Sequence, residues 1–586
     1  MSLRQLFSSR HPGRARRAND APGRQGGYRA YRTAFNTERP GLRPLWLVLF
    51  VSVWLATIGN IALWRQLAEL PDLSTWQTAQ LGLALGLAIT FACTALFSLL
   101  AWRWTLKPVL TLFLLSAAFG AYFMLTYNIV IDKTMMINTL QTDVKESRDL
   151  LSWGLVIDVL LMAVLPCVLV WRVRLRRAPA LRQAGHNALA VAGASAMLVL
   201  TLLLFFSSVA SGMRNYPQLR YLINPLNSFW AIGVIAARPF QRDDSIEMPL
   251  GEDAHPGASY SVAAGNKPPL LLLVLGETAR SGNFAINGYA RPTTPLLARE
   301  NIASQRNAWS CGTSTAASVP CMFSDLGRAD YDKRPVNQED LLDVLLHAGL
   351  AVLWVDNQSG CKGTCEHIPT ARINAADHPA LCPNGECFDE VMLEGIDARI
   401  AALPAERRAR GVVVVMHQMG GHGPAYYQRS PAALKKFLPE CTSNALQSCE
   451  PEQLVNAYDN SIVYTDYFLS RAIDWLKRRE ADASTAMVYV ADHGESLGEN
   501  NLYLHGMPYG IAPDVQKRVP WITWLSPGFT QRQGVTTACL NKKRDDHISH
   551  DNYFHSVLGL MDVQTRVYQA SLDLDAACIG ATSARK

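Results

Sequence analysis

Five apolar stretches in the first 210 residues constrain this chain more than any motif does. They run from about 45 to 64, 79 to 101, 109 to 128, 152 to 171 and 188 to 208. Each has the roughly 17 to 25 residues that a helix needs to cross a bilayer, and each lacks charge over most of its length, which a helix packed on a soluble core rarely does. The predicted division is a basic arm (1–44), a transmembrane domain of five helices (45–208), an interfacial helix and linker (209–268) and a soluble domain (269–586).

Orientation follows from the loops between the spans. Residues 1–44 carry ten arginines, the second loop adds Arg103 and Lys107, and the fourth holds Arg172, Arg174, Arg176, Arg177 and Arg182. The first loop has Arg65 beside Glu69 and Asp72, and the third balances Lys133, Lys145 and Arg148 against four carboxylates. Basic loops stay in the cytoplasm, so an odd number of spans places the soluble domain outside it. A cleavable signal is not expected, because the first apolar run begins near residue 45 and is long enough to span. The arm's position just before the first span accounts for its charge by topology and anionic lipid, so no nucleic-acid partner is expected.

Cysteine use agrees with an oxidising compartment. Cys93 and Cys167 fall inside spans, and the other ten all lie after residue 300. They cluster as Cys311/Cys321, Cys361/Cys365, Cys382/Cys387, Cys441/Cys449 and the distant Cys539/Cys578. The close spacings suit local disulfides better than zinc fingers.

Beyond residue 268 short, wholly apolar runs alternate with helical stretches, the pattern of strands buried on both faces of a mainly parallel sheet. Four such runs are 269–276, 351–356, 411–417 and 486–494. They deliver Glu277, then Asp356 and Asn357, then His417 and His422, then Asp492 and His493 to their ends. In open α/β sheets the ligand crevice lies beyond the carboxyl ends of the strands. Glu277, Asp492 and His493 together form an oxygen-and-nitrogen set suited to Zn²⁺ or Mn²⁺, and three protein ligands leave a coordination position open for chemistry.

The segment "SCGTSTAASVPC" (310–321) offers hydroxyls for that position. A Thr or Ser hydroxyl is nearly inert at neutral pH unless a base or a metal activates it. Thr315 precedes "AASV", which can start a helix whose free amides receive a phosphoryl oxygen, but spacing alone does not separate Thr315 from Thr313, Ser314 or Ser318. His417, His422 and His505 sit in loops near the same rim, where imidazoles bind phosphate, hold a second metal or donate a proton.

"GETARSGNFAINGY", "SCGTSTAASVPCMFS", "HQMGGHGPAYY", "NAYDNSIVYTDYFL" and "ADHGESLGENNLYLHGMP", following five spans, make the chain similar to the phosphoethanolamine transferases that modify lipid A, the family that includes the mobile colistin resistance enzymes. The resemblance implies an alkaline-phosphatase-like (sulfatase-like) α/β domain in the periplasm, tethered to the inner membrane. It implies tightly bound Zn²⁺ on Glu277, Thr315, Asp492 and His493, with Thr315 as nucleophile. Phosphatidylethanolamine would be the donor, lipid A the acceptor, and modification would lower the negative surface charge that polymyxins exploit. His417, His422 and His505 fall on the family's substrate-side histidines; Lys362, Ser359 and Gln358 fall where members bind the ethanolamine phosphate; Asn138, Thr142 and Glu146 fall on positions that hold the lipid donor. Gln358 stands where the mobile enzymes carry Asn. A monomer in the bilayer is expected. The competing readings are a sulfatase-like transferase acting on core sugars or glucans, and a transporter or receptor. Transporters carry internal repeats and intramembrane polar residues, whereas Asn60 and Asp158 are the main polar candidates here.

Overall fold

Apolar composition all round is what makes the five long helices of the first half. The computed structural model describes residues 41–70, 73–142, 144–176, 178–237, 243–261 and 266–579; the arm up to residue 40 and the side chain of Glu146 lie outside them. Helices long and apolar enough to span are α1 (Pro44–Ala68), α2 (Thr75–Leu99) and α3 (Leu106–Tyr127). In the third loop α4 (Lys133–Gln141) and α5 (Val144–Asp149) follow, and the last two spans are α6 (Trp153–Arg172) and α7 (Ala180–Leu204). Ser74 starts α2 with a reciprocal cap to Gln77, and Asp132 starts α4 by accepting from the Met135 amide at 2.8 Å, each satisfying an amide that the helix leaves open.

Asn60, expected as one of the few intramembrane polar groups, is a fastener. Its Nδ2 donates to Leu55 O and Asn224 O at 2.7 and 2.6 Å, and its Oδ1 accepts from the Asn224 amide at 2.9 Å. Polar groups in an apolar surround need such internal partners. The segment after α7 is helical at Phe206–Asn215, Gln218–Tyr221 and Leu226–Ala237. Two short strands among the described residues of the linker pair with the soluble domain. Asp243–Met248 pairs in parallel with Val336–Gln338, and His255–Pro256 pairs with Val563–Gln564. A polar strand at a surface lacks the apolar alternation that would announce it.

The soluble domain is built on eight strands: β1 (Pro269–Gly276), β2 (Ile302–Trp309), β3 (Ala351–Asp356), β4 (Thr370–Arg372), β5 (Val412–His417), β6 (Ser484–Ala491), β7 (Arg518–Leu525) and β8 (Ile548–Ser549). Their spatial order is β8-β2-β7-β6-β1-β5-β3-β4. The central run from β6 to β4 is parallel, while β7 is antiparallel to both its neighbours. Every residue of β1, β3, β5 and β6 is buried, as expected for strands covered on both faces. The 28-residue helix α9 (Pro451–Arg478) buries one long face here and carries the basic residues Lys477 and Arg478 in its last turn, where they complement the helix dipole. Disulfides join Cys311–Cys321, Cys361–Cys365, Cys382–Cys387, Cys441–Cys449 and Cys539–Cys578.

One buried cation ties the membrane loops to the soluble domain. Arg429, whose side chain is 2% exposed, reaches Asp149 of α5 at 2.8 Å and Glu386 at 2.5 Å, while its Nε donates to His422 O at 2.7 Å. Losing one member of a buried ion network leaves the others uncompensated, at about 3–5 kcal/mol. Arg429→Ala is therefore expected to lower the urea midpoint of the detergent-solubilised protein by that equivalent, and Arg429→Lys to recover part of it. A midpoint equal to wild type for Arg429→Ala would contradict this.

Candidate active site

Strand register assembles the site. Gly276 of β1 is opposite Ala491 of β6, so the next residues, Glu277 and Asp492, leave adjacent strands at one level. On the other side Leu275 is opposite His417 of β5, which in turn is opposite Asp356 of β3. Neighbouring strands lie about 4.8 Å apart, close enough for these side chains to meet. Glu277, Asp492 and His493 each offer a ligand atom, and those atoms all lie within 4.8 Å of one another. His493 Nε2 is 3.4 Å from Glu277 Oε1 and 3.3 Å from Asp492 Oδ2. Its Nδ1 meets Gly494 O at 2.9 Å; a carbonyl only accepts, so Nδ1 carries the proton and Nε2 faces the carboxylates.

The hydroxyls of the loop before helix α8 (Thr315–Met322) and of its first turn meet different partners. Thr313 Oγ1 donates to Met507 O at 2.6 Å, and Ser318 Oγ accepts from the Gly312 amide at 2.8 Å. Ser314 caps nothing by its side chain, and its buried Oγ has no hydrogen-bond partner among the described residues. Thr315 Oγ1 alone meets the cluster, at 3.1 and 3.3 Å from the two oxygens of Glu277 and 3.5 Å from His493 Nε2.

The three histidines ring the cluster. His417 Nδ1 is 3.1 Å from Asp356 Oδ1 and its Nε2 is 3.9 Å from Glu277 Oε2. His505 Nδ1 is 3.3 Å from Glu495 Oε2, its ring lies 4.2 Å from that of His493, and the His422 ring is 5.7 Å away. Lys362 Nζ donates to Ser359 Oγ at 2.7 Å, and Ser359 in turn donates to Gln358 Oε1. Asn138 lies on α4 and Thr142 just past its end, where the Thr142 hydroxyl donates to Asn138 O at 2.8 Å. Glu146 falls on α5. Met135 of α4 packs so tightly on Gly506 that a Cβ there would lie 2.4 Å from its methyl carbon.

Charge at the cluster is unbalanced without a cation. Burial pushes Glu277 up, but the hydrogen bond and charge of His493 outweigh it and hold the carboxyl well below the usual range. Burial and the adjacent Glu277 push Asp492 up to about 6. Burial opposes charge on His493, yet Asp492 and Glu277 raise it to about 10. The imidazole thus stands in as counter-cation for two carboxylates that are 1% and 0% exposed. Asp492 Oδ2 accepts no hydrogen bond among the described residues. Buried carboxylates are paired or coordinate metals, so the donor set fits a divalent cation.

Several residues that sequence reasoning passed over hold this geometry. Thr278 takes a left-handed conformation, φ +55°, unusual for a β-branched residue and costing about 1–3 kcal/mol. It spans both carboxylates: its amide donates to Asp492 Oδ1 at 3.1 Å and its hydroxyl to Glu277 Oε1 at 2.6 Å. Tyr458 of α9 donates to Thr278 O at 2.8 Å, and its oxygen accepts from the Arg280 amide at 3.0 Å. Gly420, φ +52°, approaches so closely that a Cβ would lie 2.5 Å from Glu277 O. His550 bridges the two halves of the site: its Nδ1 accepts from the Cys311 amide and its Nε2 donates to Ala491 O, both at 3.0 Å. A lone His far from any motif carries no sequence signal of this.

An alkaline-phosphatase-like sheet with a metal-suited cluster facing a threonine hydroxyl defines a phosphoryl- or sulfuryl-transfer class. The sequence profile of that class, Sulfatase, matches residues 269–563, and the profile described as Phosphoethanolamine transferase EptA/EptB matches residues 89–240. The chain is 38% identical over 548 residues to phosphoethanolamine transferase EptA of Salmonella typhimurium, covering 92% of this chain and 98% of that one. It is 36% identical over 540 residues to phosphatidylethanolamine transferase Mcr-1 of Escherichia coli, covering 90% and 96%. Among solved structures it is similar to the integral membrane protein lipooligosaccharide phosphoethanolamine transferase A of Neisseria meningitidis, with a TM-score of 0.86 and 34% identity over 92% of this chain and 100% of that one. The chain belongs to the phosphoethanolamine transferase family. It is an inner-membrane enzyme with its catalytic domain on the periplasmic side.

His550 makes a pH prediction. Burial holds its pKa down at about 3, against an ordinary 6.5, because only the neutral ring can both accept and donate here. A depressed folded-state value means stability that is full above the ordinary pKa and lost as pH falls toward the folded one, at about 1.4 kcal/mol per unit. The stability difference between wild type and His550→Leu should be largest near neutral pH and shrink on acidification. A difference independent of pH would contradict this role.

Proposed function

We propose that the chain transfers phosphoethanolamine from phosphatidylethanolamine to a phosphate of lipid A through an ester on Thr315, with Zn²⁺ held by Glu277, Thr315, Asp492 and His493. The observation that carries this reading is the Thr315 hydroxyl, which stands at the start of a helix with its Oγ1 3.1 Å from a buried carboxylate of a metal-suited cluster. Bound there, zinc would lower the pKa of the hydroxyl and neutralise charge growing on the transferring phosphoryl group. That the structurally similar protein of Neisseria meningitidis is named a lipooligosaccharide phosphoethanolamine transferase supports the acceptor class.

In the first half-reaction Thr315 Oγ attacks the donor phosphorus, and the bond from phosphorus to the diacylglycerol oxygen breaks. The proton that Thr315 Oγ gives up ends on that oxygen, carried by the His422 or His505 ring beside His493. The Ala317 amide already donates to Ser314 O at 3.0 Å, so the Thr315 and Ala316 amides at the start of α8 are the ones that receive a phosphoryl oxygen. Lys362, Ser359 and Gln358 seat the ethanolamine phosphate, while Asn138, Thr142 and Glu146 hold the donor lipid beside the bilayer. In the second half-reaction an oxygen of the acceptor phosphate attacks the same phosphorus, and Thr315 Oγ leaves and regains a proton. The diacylglycerol has departed before the acceptor enters, so the kinetics are ping-pong. The product gains an ammonium group, which lowers the negative charge of the surface.

Thr315→Ala should leave the thermal midpoint near wild type and abolish modification of lipid A, read by mass spectrometry of lipid A from expressing cells. A modified lipid A would refute the nucleophile. Purified Glu277→Ala should lose most of its zinc by elemental analysis, and retention of stoichiometric zinc would refute the ligand set. An unmodified lipid A from wild-type cells, with the label in core sugars or glucans, would replace the acceptor but keep the chemistry.

A further inference from the structure

A cavity of about 560 Å³ opens beside the nucleophile on the side facing the membrane loops. Ala316, Ala317 and Pro320 of α8 form one wall, and α4, starting six residues after the third span ends, forms another. Its lining holds four cationic side chains, Lys133, Arg328, Arg334 and Lys362, and one carboxylate, Asp332, which lies 3.8 Å from Lys133. The two guanidiniums are set by aromatic faces: Arg328 lies 3.5 Å from the ring centre of Tyr509, and Arg334 lies 3.5 Å from that of Tyr331. Arg334 Nη1 also donates to Tyr331 O at 2.5 Å, and stacking holds both guanidinium planes, whose edge N–H geometry suits the oxygens of a phosphate. The Arg328 backbone is held as well, its amide donating to Asp551 Oδ1 at 2.8 Å. The volume lies within the usual range for a small-molecule site.

Resting on the transfer proposed above, we infer that this cavity seats the phosphorylated sugar headgroup of the acceptor, with Arg328 and Arg334 taking its anionic oxygens. In an in-line exchange through one enzyme ester, the departing group and the incoming group occupy the same side of phosphorus, opposite Thr315 Oγ. The departing diacylglycerol is neutral and has no use for cations. The incoming phosphate carries up to two negative charges, and it must approach a phosphoryl group that is itself anionic. Lys362 serves the donor phosphate as proposed above, so the additional cations Arg328 and Arg334 serve the second half-reaction. In that step the acceptor oxygen forms a new bond to phosphorus, the bond from phosphorus to Thr315 Oγ breaks, and Thr315 Oγ takes up the proton that the acceptor phosphate gives up. The product is a diphosphate linkage bearing ethanolamine. The α4 wall lets such a lipid keep its acyl chains in the bilayer while its headgroup enters.

The test uses full-length enzyme in nanodiscs, with fluorescent phosphatidylethanolamine as donor and purified lipid A as acceptor. Removing charge-assisted hydrogen bonds in Arg328→Gln/Arg334→Gln should raise the lipid A KM about tenfold to a hundredfold, with a donor KM shift of less than about twofold. Arg328→Lys/Arg334→Lys should recover part of the loss, and the salt dependence of lipid A use should weaken in the Gln variant. A lipid A KM at the wild-type level, or a rise carried by the donor KM instead, would overturn the inference. Should wild type cleave the donor without using lipid A at all, the acceptor reading itself fails, an outcome seen before any variant is made. If the double variant unfolds, the single Arg328→Gln variant is measured against the same criteria.

Discussion

Two carboxylates forced together at the end of a buried sheet are the constraint on which the rest of this structure depends. Parallel pairing of β1 with β6 places Glu277 and Asp492 at the same level, and full burial of both strands removes the water that would otherwise screen them. Two like charges so close in a poorly polarisable surround cannot both persist without a cation. The imidazole of His493 fills that role in part, and a divalent metal fills it better. The Thr278 amide and hydroxyl, the Tyr458 hydroxyl and the close approach of Gly420 then hold the carboxylates from behind. Strain at Thr278 persists because so many partners determine its position.

The membrane half contributes more than an anchor. Met135 on α4 packs against Gly506, the neighbour of His505, and Asp149 on α5 pairs with Arg429, which in turn holds the carbonyl of His422. His505 and His422, two of the three histidines around the cluster, are thereby tied to segments that begin at the bilayer surface. Tyr127, the last residue of α3, adds a bond to Asn444 O at 3.2 Å, and Asn444 donates to Asp149 O at 2.6 Å. The walls around the cluster thus come partly from the membrane domain.

Much of the frame was legible in the sequence. Five apolar runs match the five long helices, although the last runs Ala180–Leu204 rather than the 188–208 expected. The four apolar strands are the four buried ones. Four strands of the sheet escaped notice, Ile302–Trp309, Arg518–Leu525 and the short Thr370–Arg372 and Ile548–Ser549, the first because Ser304, Gln305, Arg306 and Asn307 interrupt its apolar character. The polar strand Asp243–Met248 escaped because it pairs at a surface. At the site, residue types pointed to the carboxylates and His493 because each follows an apolar strand. Nothing local separated Thr315 from its neighbours: the Thr313 hydroxyl bonds to a carbonyl 194 positions away, at Met507. Tyr458 and His550 act across 180 and 239 positions, so their roles exist only once the chain is folded.

The central claim is that a hydroxyl and three buried ligands share one metal ion. An anomalous-scattering map of crystals of the full-length protein, recorded on both sides of the zinc absorption edge, tests this most directly. The account predicts one strong peak within bonding distance of Thr315 Oγ, Glu277, Asp492 and His493. A zinc peak elsewhere in the soluble domain, with Thr315 remote from it, would contradict the account.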